Sequence, residues 1–394
     1  MKKILVVCYG GGHVNMVIPV ITKLRNLGFE VKILGLTAAE SVFRKNGLES
    51  FGFRHYLSLF KDGEAIIEQG HLLLKQLPLN KEILEEESVA YLGLSYWDLV
   101  HKYGQVEALS KYMEHGRYCF YQTNVLEMIL KYEKPDFLIS TSSPRSELAS
   151  LEVSKKLNIP NACLIDLYID LLEARLKNNK FIDKFFVPSG FELSSLVKIG
   201  ISEDRIVISG NPAFEGHFSP AFIDQADRFK KEKFPKKKTI ITFAKTSSYS
   251  KFARVDQEIL QGLLTFINGN TDFGLIVRNH PNDTPVTHKE KGVFYSTKNE
   301  PIAVILHASD IVVSQGSTVG IEARFVGNTV IQYSDQEFSD LVDQERMGIA
   351  TKVKSIAALH RFLDGYTGVT KSTPINSGKD SSVIVEYIKN TLVN

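Results

Sequence analysis

The strongest constraint on the fold is a unit that keeps returning: a short apolar run without alternation, a polar loop, then a helical pattern. Ile4-Leu5-Val6-Val7 opens the series. A run like this, with no polar residue every second position, is what a parallel strand buried on both faces requires. The loop Tyr9-Gly10-Gly11-Gly12-His13 follows. From Met16 to Leu27 the apolar residues fall at Val17, Val20, Ile21 and Leu24, a helical spacing. Gly28 marks the helix end, and Val31-Lys32-Ile33-Leu34 reads as the second strand. Strands alternating with helices imply a parallel sheet with right-handed crossovers.

Residues 60–130 break the alternation. They are rich in Leu, Glu, Lys and Tyr and predict a mostly helical insertion. Within it, Lys81-Glu82-Ile83-Leu84-Glu85-Glu86-Glu87 reads as a solvated helix face. The stretch from Tyr91 to Tyr121 reads as core and lid, with an aromatic acceptor groove as the functional alternative. Strands then resume at Asp136–Ser140, Ala162–Ile165, Lys184–Pro188 and Ile206–Ile208, with helices from Ser146 to Leu157 and up to about Lys198. Gly210-Asn211-Pro212 is strong punctuation. Apolar density falls beyond it, and Arg228–Lys238 carries seven bases against one acid. That run reads as solvated surface at a domain boundary, with an acidic lipid face as the alternative contact.

A second α/β series begins at Thr239–Ala244 and continues with strands at Gly274–Val277, Asp310–Ser314 and Asn328–Ile331. Its helices are expected near Gln257–Ile267, Ala303–Ala308 and Gly320–Val326, and Ser382–Leu392 closes the chain. The fold class is therefore α/β, with two Rossmann-like domains and an interdomain cleft. The expected organisation is an N-terminal domain at 1–211 with the insertion at 60–130, a C-terminal domain at 212–375, and a tail at 376–394 whose helix packs back on the first domain. The length of 394 residues agrees with this, at about 150 residues per domain.

Composition narrows the function classes. Lys plus Arg is 47 and Asp plus Glu is 45, for a net charge of +2. A dedicated nucleic-acid binder would show a basic excess, so no nucleic-acid partner is expected. Cys8, Cys119 and Cys163 form no C-x-x-C pair, which supports neither a disulfide framework nor a structural zinc site and fits a reducing compartment. The apolar run after Lys3 ends at Tyr9-Gly10, too short for a signal-peptide core. With no apolar stretch of about 20 residues, the expected location is the cytoplasm, with the inner membrane face as an alternative.

Three loops carry candidate chemistry. In the first, glycines allow close backbone approach and a helix N-terminus follows. A dinucleotide fingerprint fails there, because Asn15 stands where the third glycine is needed. The readings are a tight turn with a capping histidine, or His13 as a base over a ligand. The second loop is Arg278-Asn279-His280-Pro281-Asn282-Asp283. Pro281 restricts the residue before it and so sets the direction of His280 toward a phosphate; a structural His-Pro turn is the alternative. The third is Ser314-Gln315-Gly316-Ser317-Thr318-Val319-Gly320-Ile321-Glu322-Ala323. Ser317, Thr318 and the free N–H groups make an anion cradle, and Glu322 could accept from a ribose diol; an ordinary N-cap is the alternative. Lys245 and Thr246 follow the first strand of the second series and are further phosphate candidates, while Ser142 and Arg145 sit at a first-domain strand end and could shape an acceptor site. The loop at Glu300 could read a base through its backbone.

Together these elements resemble the GT-B glycosyltransferases and the related nucleotide-sugar 2-epimerases. Gly10-Gly11-Gly12-His13-Val14 resembles the glycine loop of the peptidoglycan N-acetylglucosaminyltransferase. Phe186-Val187-Pro188-Ser189 through Ser209-Gly210-Asn211-Pro212 is similar to the segment that closes the first domain. His280-Pro281-Asn282 resembles the epimerase His-Pro-Asn motif, and Ser309-Asp310 to Glu322-Ala323 the donor segment. Two stretches depart from the epimerases: Gly10–Val14 replaces a Gly-Thr-Arg-Pro-Glu type opening, and Gln315-Gly316-Ser317-Thr318 replaces Asp-Ser-Gly-Gly. The pairing of His-Pro with Ser-Thr is instead similar to sialyl- and Kdo-transferases and to polyol-phosphate transferases. Sialyltransferases carry an acidic-Asp-Gly motif, which Lys61-Asp62-Gly63 matches in its last two residues; Asp62 is thus a second candidate base, with a helix-start Asp as the alternative.

The resemblance implies a transferase that moves a sugar from a UDP- or CMP-linked donor to a hydroxyl on a glycan, lipid-linked or protein acceptor, in bacterial surface-glycan or glycoconjugate synthesis. His13 would be catalytic. His280, Gly316, Ser317, Thr318, Glu322, Lys245 and Thr246 would bind the donor. Gly11, Gly12, Asn15, Ser142 and Arg145 would face the acceptor. No D-x-D occurs, so no metal and no cofactor beyond the nucleotide-sugar co-substrate is expected. An epimerase or hydrolase on the same fold, and a non-catalytic nucleotide-sugar binder, are the alternatives.

Overall fold

A computed structural model describes the chain except residues 11, 79–81, 167–172, 178, 249, 282, 285–289, 335–341, 369–380 and 394. Two compact units emerge. One comprises Met1–Ala213 with Lys379–Asn394, the other Phe214–Gly378.

The first unit holds a six-stranded parallel sheet in the order β2-β1-β3-β4-β5-β6. The strands are β1 (Lys3–Cys8), β2 (Glu30–Gly35), β3 (Phe137–Thr141), β4 (Asn161–Leu164), β5 (Lys184–Val187) and β6 (Ile206–Ile208). The missing alternation in β1 has a direct cause. Leu5 and Val7 enter one apolar core, Ile4 and Val6 the other, and all four are fully buried. The helices are α1 (Gly12–Asn26), α2 (Ala38–Lys45), α3 (Gly63–Leu74), α4 (Glu85–Tyr103), α5 (Gln105–His115), α6 (Thr123–Glu133), α7 (Ser146–Lys156), α8 (Glu173–Leu176) and α9 (Gly190–Lys198).

Helices α3 to α6 form the expected helical insertion. Glycines let α3 and α4 cross closely: a Cβ on Gly70 would lie 2.2 Å from the Val89 carbonyl, and one on Gly93 would lie 2.1 Å from that of Ile66. The acidic run is not a uniformly solvated face. Glu87 is buried and accepts from the Phe53 and Arg54 N–H groups at 2.9 and 3.2 Å and from the Arg54 guanidinium at 3.2 Å. Burial pushes its pKa up to about 7 against these favourable bonds. Glu85 and Glu86, immediately before it, are exposed.

The second unit holds another six-stranded parallel sheet, β12-β11-β10-β7-β8-β9. Its strands are β7 (Thr239–Ala244), β8 (Phe273–Arg278), β9 (Val293–Ser296), β10 (Ile311–Ser314), β11 (Thr329–Tyr333) and β12 (Thr351–Val353). Its helices are α10 (Pro220–Lys233), α11 (Ala253–Gly269), α12 (Ile302–Ala308), α13 (Thr318–Val326) and α14 (Ile356–Asp364). The basic run lies inside the second unit rather than at its boundary. Its first half is the end of α10, where Phe229 packs on Phe294 with ring centroids 4.9 Å apart, and Phe234 is buried with Ile240 and Ile276. Lys231 and Lys233 are exposed on the last turn of α10, and Lys236 and Lys238 are exposed beyond it.

A last helix, α15 (Ser381–Val393), belongs to the first unit. Ile384, Val385 and Ile388 join the core that holds Val17, Val20 and Ile21 of α1. Among the described residues, no helix is long and apolar enough to cross a membrane.

Candidate functional site

Parallel sheets of this kind present their ligand loops at the strand carboxyl ends, and each unit has a polar constellation there. In the first unit, Gly10 turns the chain out of β1 with φ +142°, a backbone conformation that favours glycine. Helix α1 then starts at Gly12, four residues before the first expected helical residue. His13 therefore lies in the first turn of a helix rather than in a loop. Gly12 and Asn15 are exposed on the same turn, and a Cβ on Gly12 would meet nothing within 4 Å. Gly11 lies outside the described residues.

His13 is gripped from both sides. Its Nδ1 bonds the Thr141 hydroxyl at the end of β3, and that hydroxyl donates in turn to Glu147 Oε1 at 2.8 Å. Glu147 Oε1 lies 3.5 Å from Nδ1 itself and also accepts the Tyr9 N–H at 3.1 Å. Because the Thr141 proton goes to Glu147, its oxygen accepts from His13, so Nδ1 carries a proton. The other nitrogen, Nε2, faces Asp166 Oδ2 at 3.0 Å, just beyond β4. Nε2 is thus the nitrogen that exchanges a proton.

The electrostatics follow from burial and charge. Burial works against an imidazolium at His13, but the Glu147 hydrogen bond and the charges of Asp166 and Glu147 outweigh it and raise the pKa above 6.5. Burial alone would push Glu147 up; its bonds to His13, Ser143 and Thr141 and the His13 charge win and lower it. Asp166 is raised, chiefly by burial, with the His13 charge opposing and Glu147 adding. Glu147 is fully enclosed, while the side chains of His13 and Asp166 keep 16% and 12% of their exposure. Solvent reaches the His13–Asp166 side of the cluster.

The other first-unit candidates have partners of their own. Ser142 is buried and donates weakly, at 3.4 Å, to Asp166 Oδ1, so it positions that carboxylate rather than facing an acceptor. Arg145 spreads its guanidinium over the Tyr9 ring at 4.6 Å. Asp62 precedes α3, makes no side-chain cap bond, and accepts from Trp97 Nε1 at 3.4 Å; it is bonded neither to His13 nor to the carboxylates around it. Sequence reasoning missed Glu147 and Asp166. Glu147 lies in the first turn of α7 and Asp166 two residues past β4, and no local motif marks either.

In the second unit, β10, β7 and β8 are neighbours, so the loops after them lie side by side. Ser317 caps α13 and accepts the Val319 N–H at 3.3 Å; Thr318 is exposed at the helix start. Gly316 is buried at φ +112°, and a Cβ there would lie 3.2 Å from Gln332 Nε2. It shapes the turn from within.

Thr246 is a structural tie. Its N–H and hydroxyl both donate to Asp256 Oδ2, at 2.7 and 2.8 Å, and Gln315 Nε2 donates to Asp256 Oδ1 at 2.6 Å. Buried Asp256, absent from the sequence reading, thereby binds the β7 loop to the β10 loop. Lys245 is half-buried, and none of the ion pairs among the described residues involves it. His280 is half-buried beyond β8, and its carbonyl accepts from the Asp283 N–H at 3.0 Å. The Asp283 carboxylate accepts from Ser247 and Ser248, at 3.0 and 2.7 Å, fastening this loop to the β7 loop. Asn282 of the His-Pro-Asn triplet lies outside the described residues.

Glu322 is one turn into α13, and its Oε2 pairs with His217 Nε2 at 2.9 Å. The His217 carbonyl accepts from His307 at 2.8 Å. His217, which the sequence reading did not single out, is thus the partner of Glu322. The Glu300 carbonyl accepts from Arg278 at 2.8 Å, and its carboxylate accepts the Thr297 N–H at 2.7 Å, so that loop is held by its own ties. Among the described residues, no group of three or more His, Cys, Asp or Glu side chains is arranged to hold a metal ion.

Comparison with known proteins places the fold. No protein-family model matches the chain. It is similar to a processive diacylglycerol beta-glucosyltransferase of Bacillus mycoides, 26% identical over 225 residues, 56% of this chain and 47% of that protein. The match thus spans about half the length of that curated relative. The solved UDP-GlcNAc 2-epimerase of Neisseria meningitidis bound to UDP-GlcNAc superposes with a TM-score of 0.61 at 14% identity, covering 99% of this chain and 100% of the other. The spinosyn rhamnosyltransferase SpnG complexed with thymidine diphosphate does so with a TM-score of 0.55 at 10% identity, covering 99% and 100%. Two parallel six-stranded sheets, matched over their whole length by these enzymes, give the chain the GT-B fold of glycosyltransferases and nucleotide-sugar epimerases.

Proposed function

We propose that the protein is a metal-independent glycosyltransferase that moves a sugar from a UDP- or CMP-linked donor to a hydroxyl acceptor. The observation that carries this reading is His13, fixed by the Thr141–Glu147 relay with Nε2 turned to Asp166. An oriented histidine with a buried carboxylate behind it is the arrangement of a general base. The second unit supplies the complementary chemistry: Lys245, His280, and the α13 N-terminus with Ser317 and Thr318 suit a diphosphate or phosphate, and Glu322, held by His217, suits a ribose.

In the proposed step, the acceptor oxygen attacks the anomeric carbon and the bond from that carbon to the phosphate oxygen breaks. The nucleotide leaves as an anion. The acceptor proton passes to the His13–Asp166 pair. The cation of Lys245 and the N–H groups of α13 stabilise the charge that develops on the leaving phosphate. Displacement of this kind inverts the anomeric centre. The diacylglycerol named for the Bacillus relative supports a lipid among the acceptors, and hence work on bacterial glycoconjugates at the inner membrane face.

Incubation of the full chain with UDP- and CMP-sugars tests this. Sugar transferred only when an acceptor is present supports it. A 2-epimer or free sugar formed from donor alone makes the enzyme an epimerase or hydrolase instead, the reading favoured by the epimerase structures that share the fold. A thermal-shift panel of UDP, CMP, CDP, GDP and TDP identifies the carrier, since a ligand that binds only the folded state raises its melting temperature.

A further inference from the structure

The chain between β3 and α7 holds a cation without a counter-charge. Arg145 directly precedes α7 and is half-buried, yet it makes no hydrogen bond and no ion pair among the described residues. Elsewhere in this unit half-buried cations are matched. Lys3 and Lys32 share Glu133, each at 2.6 Å, Arg54 pairs with Glu40 and Glu87, and Lys102 pairs with Asp98 at 2.7 Å. The acid closest to Arg145 along the chain, Glu147, is committed to Thr141, the Tyr9 N–H and His13. A charge drawn partly out of water with no partner costs stability, and an anion bound to it recovers that cost.

Two rings fix the guanidinium. Its central carbon lies 4.6 Å from the centre of the Tyr9 ring and 5.9 Å from that of Tyr118. Aromatic rings engage the faces of a guanidinium, and its N–H groups point outward in the plane. Nε is sealed from solvent, whereas the two Nη groups are unbonded and open to it. The fork that suits a carboxylate or a phosphate is thus presented, with its plane set in advance.

A second cation stands close by. Arg117 lines a cavity together with Tyr9; it is exposed and has no ion pair among the described residues. One acid, the exposed Glu85, shares that lining. Tyr9 is therefore flanked by two unpaired guanidinium groups. The same Tyr9 donates its N–H to Glu147 at 3.1 Å, and Glu147 holds His13. The positive region borders the support of the proposed base.

We propose that Arg145, assisted by Arg117, forms an anion subsite for the acceptor: it takes a phosphate or carboxylate on the molecule whose hydroxyl is glycosylated. The proposal rests on the glycosyltransferase reading above and specifies the charge of its acceptor. A neutral acceptor would leave both guanidinium groups unserved.

Calorimetry on the full chain tests it with glucose 6-phosphate and glucuronate, each against glucose. At least one of the charged sugars is expected to bind about tenfold to a hundredfold tighter, the weight of a hydrogen bond to a charged group. Which of the two binds tells phosphate from carboxylate. Arg145→Met keeps an apolar stem between the rings and removes the fork. It should abolish the preference while the protein still melts cooperatively and glucose binding is unchanged. Arg145→Lys keeps the charge without the fork and should restore part of the preference; a merely structural arginine would show neither effect. Lys245→Ala should leave the preference intact, because the anion does not sit on the second unit. Equal binding of charged and neutral sugars, a preference that survives Arg145→Met, or one that is lost in Lys245→Ala overturns the proposal. If UDP or CMP raises the melting temperature and the preference is absent, the subsite falls and the transferase reading stands. If the preference depends on Arg145 and no nucleotide binds, the transferase reading falls and the anion site stands.

Discussion

The two units build opposite kinds of polar centre on the same scaffold. In the first, charges face charges: His13 sits between two carboxylates, and each ring nitrogen has a partner. In the second, the loops after β7, β8 and β10 offer hydroxyls, a helix N-terminus and a lysine, tied from beneath by Asp256 and Asp283. A group whose proton must move needs a partner on either side to set its pKa. A group that holds an anion needs donors aimed outward and acceptors kept behind them. The contrast is the physical basis of the proposal that the first unit transfers the proton and the second binds the nucleotide.

Each prediction tests that division. The largest expected effect is that of His13→Ala, a loss of about 10²–10⁴-fold in turnover, with nucleotide affinity unchanged by calorimetry. Unchanged turnover would remove His13 from the chemistry. Next is Asp256→Ala, which strands the Thr246 N–H and the Gln315 amide. It should cost about 2–3 kcal/mol in urea denaturation and weaken nucleotide binding, because the loops that carry Lys245 and Gly316 lose their common anchor. His280→Ala should lower nucleotide affinity about tenfold, the weight of one hydrogen bond to a charged group, without changing the pH dependence of turnover. A change in that pH dependence would mean that the two units do not divide the chemistry as described.

The scaffold was legible because parallel strands buried on both faces leave unmistakable apolar runs, as Ile4–Val7 and Thr239–Ala244 show. Short or amphipathic elements were not. Strands β9 and β12 are edge strands of four and three residues, and α14, though capped by Ser355 and followed by Gly365, was not read as a helix. The polar end of α10 read as boundary surface because only Phe229 and its few apolar neighbours face inward. At the sites, loops betray residues through Gly, His and Pro, so His13, His280 and Ser317 stood out. Glu147, Asp166 and Asp256 did not, because an acid in a helix or past a strand has no local signature. What makes them important is the partner that the fold brings to them: Thr141 across the β3 loop for Glu147, Gln315 from the next strand for Asp256.

The subtlest prediction concerns Glu147→Gln. Glutamine keeps an oxygen for the Tyr9 N–H and the Thr141 hydroxyl, so the fold should be little disturbed. What disappears is the negative charge behind His13, a principal cause of its raised pKa. In the wild type, the base must lose its proton, so kcat/KM should rise with pH through an inflection above 6.5. In the variant, that inflection should move to lower pH. Stability should respond in a matching window. The raised His13 contributes stability that is complete below 6.5 and is lost as pH rises through its folded value; the lowered Glu147 contributes stability that is complete above 4.5 and is lost as pH falls through its own. The pair therefore stabilises most between 4.5 and 6.5, with raised Asp166 offsetting part of the gain as pH climbs past 3.8. Glu147→Gln should flatten the wild-type stability maximum in that window. An inflection that stays in place while the maximum flattens would make Glu147 a purely structural partner and leave Asp166 alone to set the proton affinity of His13.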